Sequence, residues 1–154
     1  SDVMPLLHLS QCVLGLRPKL YGLENCYMHR QCIYVINHQI ISHLWREPSS
    51  SIVKDSLRFY GLGWPMIHFM RILSIVRNDH AKAMKTMGEA VRMVKKEHVN
   101  MFIFPEGTRN YSGRLLPFKK GAFHLAIQTQ LPIVPVVISC YNSFLDHKNR
   151  IFDD

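Results

Sequence analysis

Short apolar runs, rich in β-branched residues, stop abruptly at polar ones all along this chain. CIYVIN runs from Cys32 to Asn37, LSIV from Leu73 to Val76, VNMFIFP from Val99 to Pro105 and LPIVPVVIS from Leu131 to Ser139. SSSIVK, from Ser49 to Lys54, has the same strand-like character ahead of a helical pattern from about Asp55. The apolar residues are continuous rather than alternating, the mark of strands covered on both faces. Between them the period changes. In DHAKAMKTMGEAVRMVKKE, residues Ala83, Met87, Ala90, Val91 and Val94 fall on one helical face with lysines on the other. Phe118 to Gln130 also reads as a helix, HQIISHLW as one or two helical turns, and residues 3–16 as a short helix interrupted at Pro5. Gly61, Gly63 and Pro65 break the segment after Asp55.

Strands alternating with helices predict an α/β fold: a mostly parallel or mixed central sheet flanked by helices, since right-handed crossovers align successive strands. With 154 residues the chain is long enough for one domain with a hydrophobic core. Residues 1–154 are expected to form that single domain, as part of a longer membrane-associated protein. No run of about 18 apolar residues suggests a spanning helix. Cys12, Cys26, Cys32 and Cys140 form no CxxC pair and have no metal-ligand spacing with the nine histidines, so reduced thiols and no metal are expected. The formal charge of +8 calls for an acidic partner: phosphate groups, an anionic membrane or nucleic acid. The basic residues are scattered, without a Lys/Arg run or nucleic-acid motif.

In parallel α/β sheets ligands collect at the carboxyl ends of the strands. Three strand ends carry polar residues: Asn37-His38, Arg77-Asn78 and Pro105-Glu106-Gly107-Thr108-Arg109. His38 is a candidate general base; a lone histidine after a strand is more often a structural or surface residue. Pro105 forces a clean strand end, and Gly107 permits a tight turn or close approach to a ligand. Thr108 and Arg109 offer a hydroxyl and a planar fork of donors suited to phosphate. Glu106 is placed to orient Arg109 or tune the base. The alternative is a turn with a surface Glu–Arg pair. Lys119 and Lys120 either complete an anion funnel or form a solvated helix start. Arg77 is a second phosphate clamp or an ordinary surface arginine.

Asn37-His38, Phe104–Arg109 and the LPIVPV block, in this order, resemble the glycerolipid acyltransferases, and most closely the 1-acylglycerol-3-phosphate (lysophosphatidic acid) acyltransferases. The likeness is strongest over FPEGTRNYSGRLLPFKKGAFHLAIQTQLPIVPVVIS. It implies acyl transfer from acyl-CoA, as co-substrate, to the free hydroxyl of 1-acylglycerol 3-phosphate, without a cofactor, at a membrane surface, in eukaryotes the endoplasmic reticulum. It implies His38 and Glu106 as catalytic residues, and substrate binding by Asn37, Lys54, Arg77, Gly107, Thr108, Arg109, Lys119 and Pro135. Nucleic acid is not an expected partner on this reading.

Two departures stand out. The family's first motif, NHxxxxD, ends here at His43, where the aspartate that orients the catalytic histidine is expected. In the second block, Val76 precedes Arg77 where an acid is usual, and Arg71 stands where glycine is common. The resemblance therefore supports an enzyme, and the replacement at His43 supports an alternative: a catalytically impaired homologue that binds a lipid phosphate.

Overall fold

The computed structural model describes residues 19, 21–22, 24–25, 31–37, 48–56, 68, 71–76, 79–108, 114–138, 145–146 and 151–152. Five strands form one sheet: β1 (Ile33–Ile36), β2 (Ser49–Lys54), β3 (Leu73–Ile75), β4 (Asn100–Ile103) and β5 (Ile133–Val136), in the order β3-β2-β4-β1-β5. Every neighbouring pair is parallel, so the expectation narrows from parallel or mixed to wholly parallel. Helix α1 (His80–Glu97) joins β3 to β4, and α2 (Gly121–Thr129) joins β4 to β5. A separate antiparallel pair, β6 (Leu145–Asp146) and β7 (Ile151–Phe152), is an element the sequence pattern did not suggest. The short N-terminal helix, the turns after His38 and the break at Gly61–Pro65 lie outside the described residues.

Both helical connections step across the sheet in the same direction, α1 passing β2 and α2 passing β1. Right-handed crossovers of one sense place both helices on one face. They pack on each other there. Ala90 and Val94 of α1, with Ala122 and Leu125 of α2, meet Ile33, Val35, Ile52, Met101 and Ile103 in a buried cluster. Tyr34, Ile36, Phe102 and Val134 point the other way with Cys32, and are also buried. Tyr34 and Phe102 are register partners whose rings stack 4.6 Å apart. This two-sided burial explains the continuous apolar strands. Cys32 is a buried thiol.

Polar groups inside the sheet are satisfied. Ser50 Oγ donates to the Arg71 carbonyl at 2.8 Å and Ser51 Oγ to the Phe102 carbonyl at 3.1 Å. Asn100 ties strand starts together: its Oδ1 accepts the Cys32 N–H at 3.0 Å while its own N–H donates to the Pro48 carbonyl at 2.9 Å. Arg71 has φ 53, left-handed backbone that glycine adopts without steric cost. Its guanidinium pairs with Glu97 at the end of α1.

Asp79 caps α1, accepting the Lys82 main-chain N–H at 3.0 Å and pairing with Lys82 Nζ at 3.1 Å. The main-chain bond first, then the side-chain bond, holds its carboxyl below the ordinary carboxylate range. A lowered pKa stabilises the fold above the unfolded value, and that contribution is lost as pH falls through the folded one. Asp79→Asn keeps an oxygen acceptor and removes the charge. The stability gap between wild type and Asp79→Asn should therefore be full at neutral pH and close in acid, below the ordinary carboxylate value, in thermal melts across that range.

Candidate active site at the carboxyl edge of the sheet

The all-parallel sheet brings every carboxyl end to one edge. At the mouth of β4 the chain turns at once: Gly107 N–H donates to the Phe104 carbonyl at 3.1 Å, closing a four-residue turn with Pro105 at its second position. The fixed φ of proline suits that position. Pro105 is fully buried, and Gly107 follows at φ 67, where a side chain would be strained.

The turn is fastened to the segment ahead of α2. Glu106 is only 7% exposed, and its Oε2 accepts the Leu116 N–H at 2.9 Å. The Pro105 carbonyl accepts the Lys119 N–H at 2.8 Å. These bonds hold residues 114–120 as a strap over the turn. Helix α2 begins at Gly121 rather than Phe118, and the Lys119 N–H ahead of it is turned toward Pro105. The Lys119 side chain lies over Gly107: a Cβ there would come within 3.0 Å of its Cε and Nζ. Lys120 caps α2 without a side-chain hydrogen bond, and no acid sits in the first turn. The opening N–H groups of a helix lack intrahelical acceptors and carry the positive end of its dipole. With Lys119, they make this place fit for an anion.

The other strand ends share the edge. Val35 pairs with Ile103, so β1 leaves the sheet beside the β4 turn. Asn37, the first residue past β1, donates through Nδ2 to the Ile138 carbonyl at 2.9 Å and accepts the Ile138 N–H through Oδ1 at 2.8 Å. Both sides of its amide thus fix the end of β1 to the chain just past β5. Lys54 is exposed at the end of β2, next to β4. Pro135 is exposed in β5, an edge strand, where the missing N–H costs no ladder bond. Thr108 is exposed just past Gly107. His38, His43, Arg77 and Arg109 lie outside the described residues. In sequence, His38 directly follows Asn37, Arg77 follows Val76 and Arg109 follows Thr108.

Sequence reasoning did not anticipate two ties: the Asn37–Ile138 clamp, spanning 101 positions, and the Glu106–Leu116 bond. Neither follows a local period. The anchoring polar residues themselves were visible.

Glu106→Ala leaves the Leu116 N–H without its acceptor and is expected to destabilise the fold by about 1–3 kcal/mol; Glu106→Gln, which keeps an oxygen acceptor, should retain most of that in denaturant titrations. Gly107→Ala is expected to cost about 1–2 kcal/mol through its backbone conformation. The steric clash falls on the flexible end of Lys119, so the substitution should also displace that ammonium and weaken binding of a phosphate anion, measured by calorimetry.

Residues 17–139 match the family model described as Acyltransferase. An uncharacterized acyltransferase of Schizosaccharomyces pombe is 36% identical over 154 residues, covering 94% of this chain and 55% of the relative. The human 1-acyl-sn-glycerol-3-phosphate acyltransferase beta is 38% identical over 144 residues, covering 90% and 52%. The crystal structure of the 1-acyl-sn-glycerophosphate (LPA) acyltransferase PlsC from Thermotoga maritima superposes with a TM-score of 0.75 at 25% identity, covering 96% of this chain and 60% of that one. The chain spans about half the length of the curated relatives it matches. The matched span includes the whole parallel sheet, both helices and the strapped turn, and on it the chain belongs to the acyltransferase family.

Proposed function

We infer that this domain transfers an acyl group from acyl-CoA to the free hydroxyl of 1-acylglycerol 3-phosphate, releasing phosphatidic acid and CoA. The strapped Pro105–Gly107 turn carries this reading. It holds Lys119 and the start of α2 together at the edge where β1 also ends. The human and bacterial relatives bear names that state this acceptor class.

His38, one residue past the Asn37 clamp, removes the hydroxyl proton. The alkoxide-like oxygen attacks the thioester carbonyl, the C–S bond breaks, and the proton passes to the departing CoA sulfur. A neutral imidazole does this when one ring nitrogen is free to accept. Lys119, Arg109 and Arg77 hold the acceptor phosphate, and much of the rate comes from fixing two substrates in place. No cofactor is needed. The reaction belongs at a membrane surface, where both lipids reside, and in a eukaryotic cell at the endoplasmic reticulum. Among the described residues no helix is long and apolar enough to cross a membrane.

A second reading rests on His43, which stands where the family places the acid that orients the histidine. Loss of such an acid costs roughly 10⁴-fold in serine proteases. On that reading the domain binds a lipid phosphate without turning it over. Lysolipid-dependent release of CoA thiol separates the two. The enzyme reading expects release by the wild type and a loss of about 10²-fold or more in His38→Ala. Release that survives His38→Ala removes that residue as the base. Lysophosphatidate binding with no release establishes the second reading.

A further inference from the structure

The strap over the Glu106 turn displays apolar side chains to water. Its backbone is held inward at Leu116 and Lys119. Around those anchors Leu115 is 64% exposed and Phe118 48%. Tethered in this way, the segment cannot fold these side chains under. Along α2, Phe123 and Ile127 are 43% and 68% exposed. Four residues apart, they lie on one side of the helix, with Lys120 one turn before Phe123. Arg114, Lys119 and Lys120 are exposed in the same stretch. No aspartate or glutamate occurs between Glu106 and Asp146.

We propose that Leu115, Phe118, Phe123 and Ile127, with Arg114 and Lys120, form the face by which the domain docks on an anionic lipid bilayer. Exposed large apolar groups interspersed along the chain with exposed cations, in a stretch of sequence without an acid, match a surface whose headgroups are negative and whose interior is hydrocarbon. Self-association through this face would set the same cations of two copies against each other. Nucleic acid offers nothing for four large apolar side chains to enter. The proposal deepens the acyl-transfer reading and rests on it for its biological sense, since a lysolipid acceptor resides in the bilayer. Docking here holds the strand mouths at the water–lipid boundary.

The test is sedimentation of the full chain with phosphatidylcholine vesicles, with and without phosphatidylserine. Wild type should bind the anionic vesicles, and less so in high salt. Leu115→Ser/Phe118→Ser and Phe123→Ser/Ile127→Ser should each lower the partition by about tenfold or more. Arg114→Gln/Lys120→Gln should lower it by roughly tenfold or more on anionic vesicles only. Thiol release from lysolipid dispersed in detergent should persist in the two apolar double variants. A Phe118→Trp probe should shift its emission to the blue and be quenched by brominated acyl chains, a readout that does not depend on how the serine variants fold. Serine variants that bind like wild type, an unshifted tryptophan, or a wild-type dimer abolished by these substitutions would each overturn the proposal. Partition requires no turnover. A chain that docks but releases no thiol therefore sinks the reaction and leaves the surface standing, and one that releases thiol in detergent but ignores vesicles does the reverse.

Discussion

A carboxylate hidden under a loop organises this site. Burying the Glu106 charge is costly unless it is met by hydrogen bonds or cations. Its answer is the Leu116 N–H, with the Lys119 stem laid over the next residue. The turn and the strap therefore hold each other: without the carboxylate the strap loses its anchor, and without the strap the carboxylate loses its donor. The left-handed Gly107 belongs to the same arrangement, because it lets the chain reverse with no side chain where Lys119 must lie. One acid and one glycine thus fix where two lysines and a helix start stand relative to the strand mouth.

The sheet makes that local knot matter. β4 is inserted between β2 and β1, so its turn opens between the ends of both neighbours. The Asn37 amide extends the fixed region one strand further, to the end of β5. A group just beyond β1 is consequently carried on backbone held from two sides, by ladder bonds and by a side-chain clamp. Such support suits a reaction whose rate depends on placing two substrates within a fraction of an ångström.

How much of this the sequence disclosed follows the range of each interaction. α1 was legible because Ala90 and Val94 recur at helical spacing and are buried, with Met87 and Val91 packed beside them. Continuous apolar strands revealed a sheet covered on both faces. The start of α2 was misplaced because Phe118 extends the apolar period of Ala122 and Leu125, while the chain before Gly121 is tied to the distant Pro105 carbonyl. Strand order was closed to a periodicity argument, since nothing local says that β4 lies between two earlier strands. β6 and β7, two residues each, are too short to carry a period. In the site, the residue types of the turn and Asn37 were legible, and the turn's ties to Leu116 and Lys119 and the tie of Asn37 to Ile138 were not.

The charge pattern joins the site to its surroundings. Glu106 is the last acid for a long stretch of chain, and the fold buries it, while Arg114, Lys119 and Lys120 remain at the surface. Local negative charge is thus spent on structure and the exposed field is positive. A cation at the strand mouth attracts a phosphate over a few ångströms; the same cations on the rim attract a negative surface over about a Debye length, roughly 8 Å at physiological salt. Both effects weaken with ionic strength, but differently. A phosphate in direct hydrogen-bond contact with a helix start and a lysine would meet its cations at a few ångströms, well inside the screening length, whereas rim cations act on headgroups across solvent. Rising salt should therefore release the domain from vesicles well before it empties the phosphate site, an order that a nucleic-acid binder relying on surface cations alone has no reason to follow.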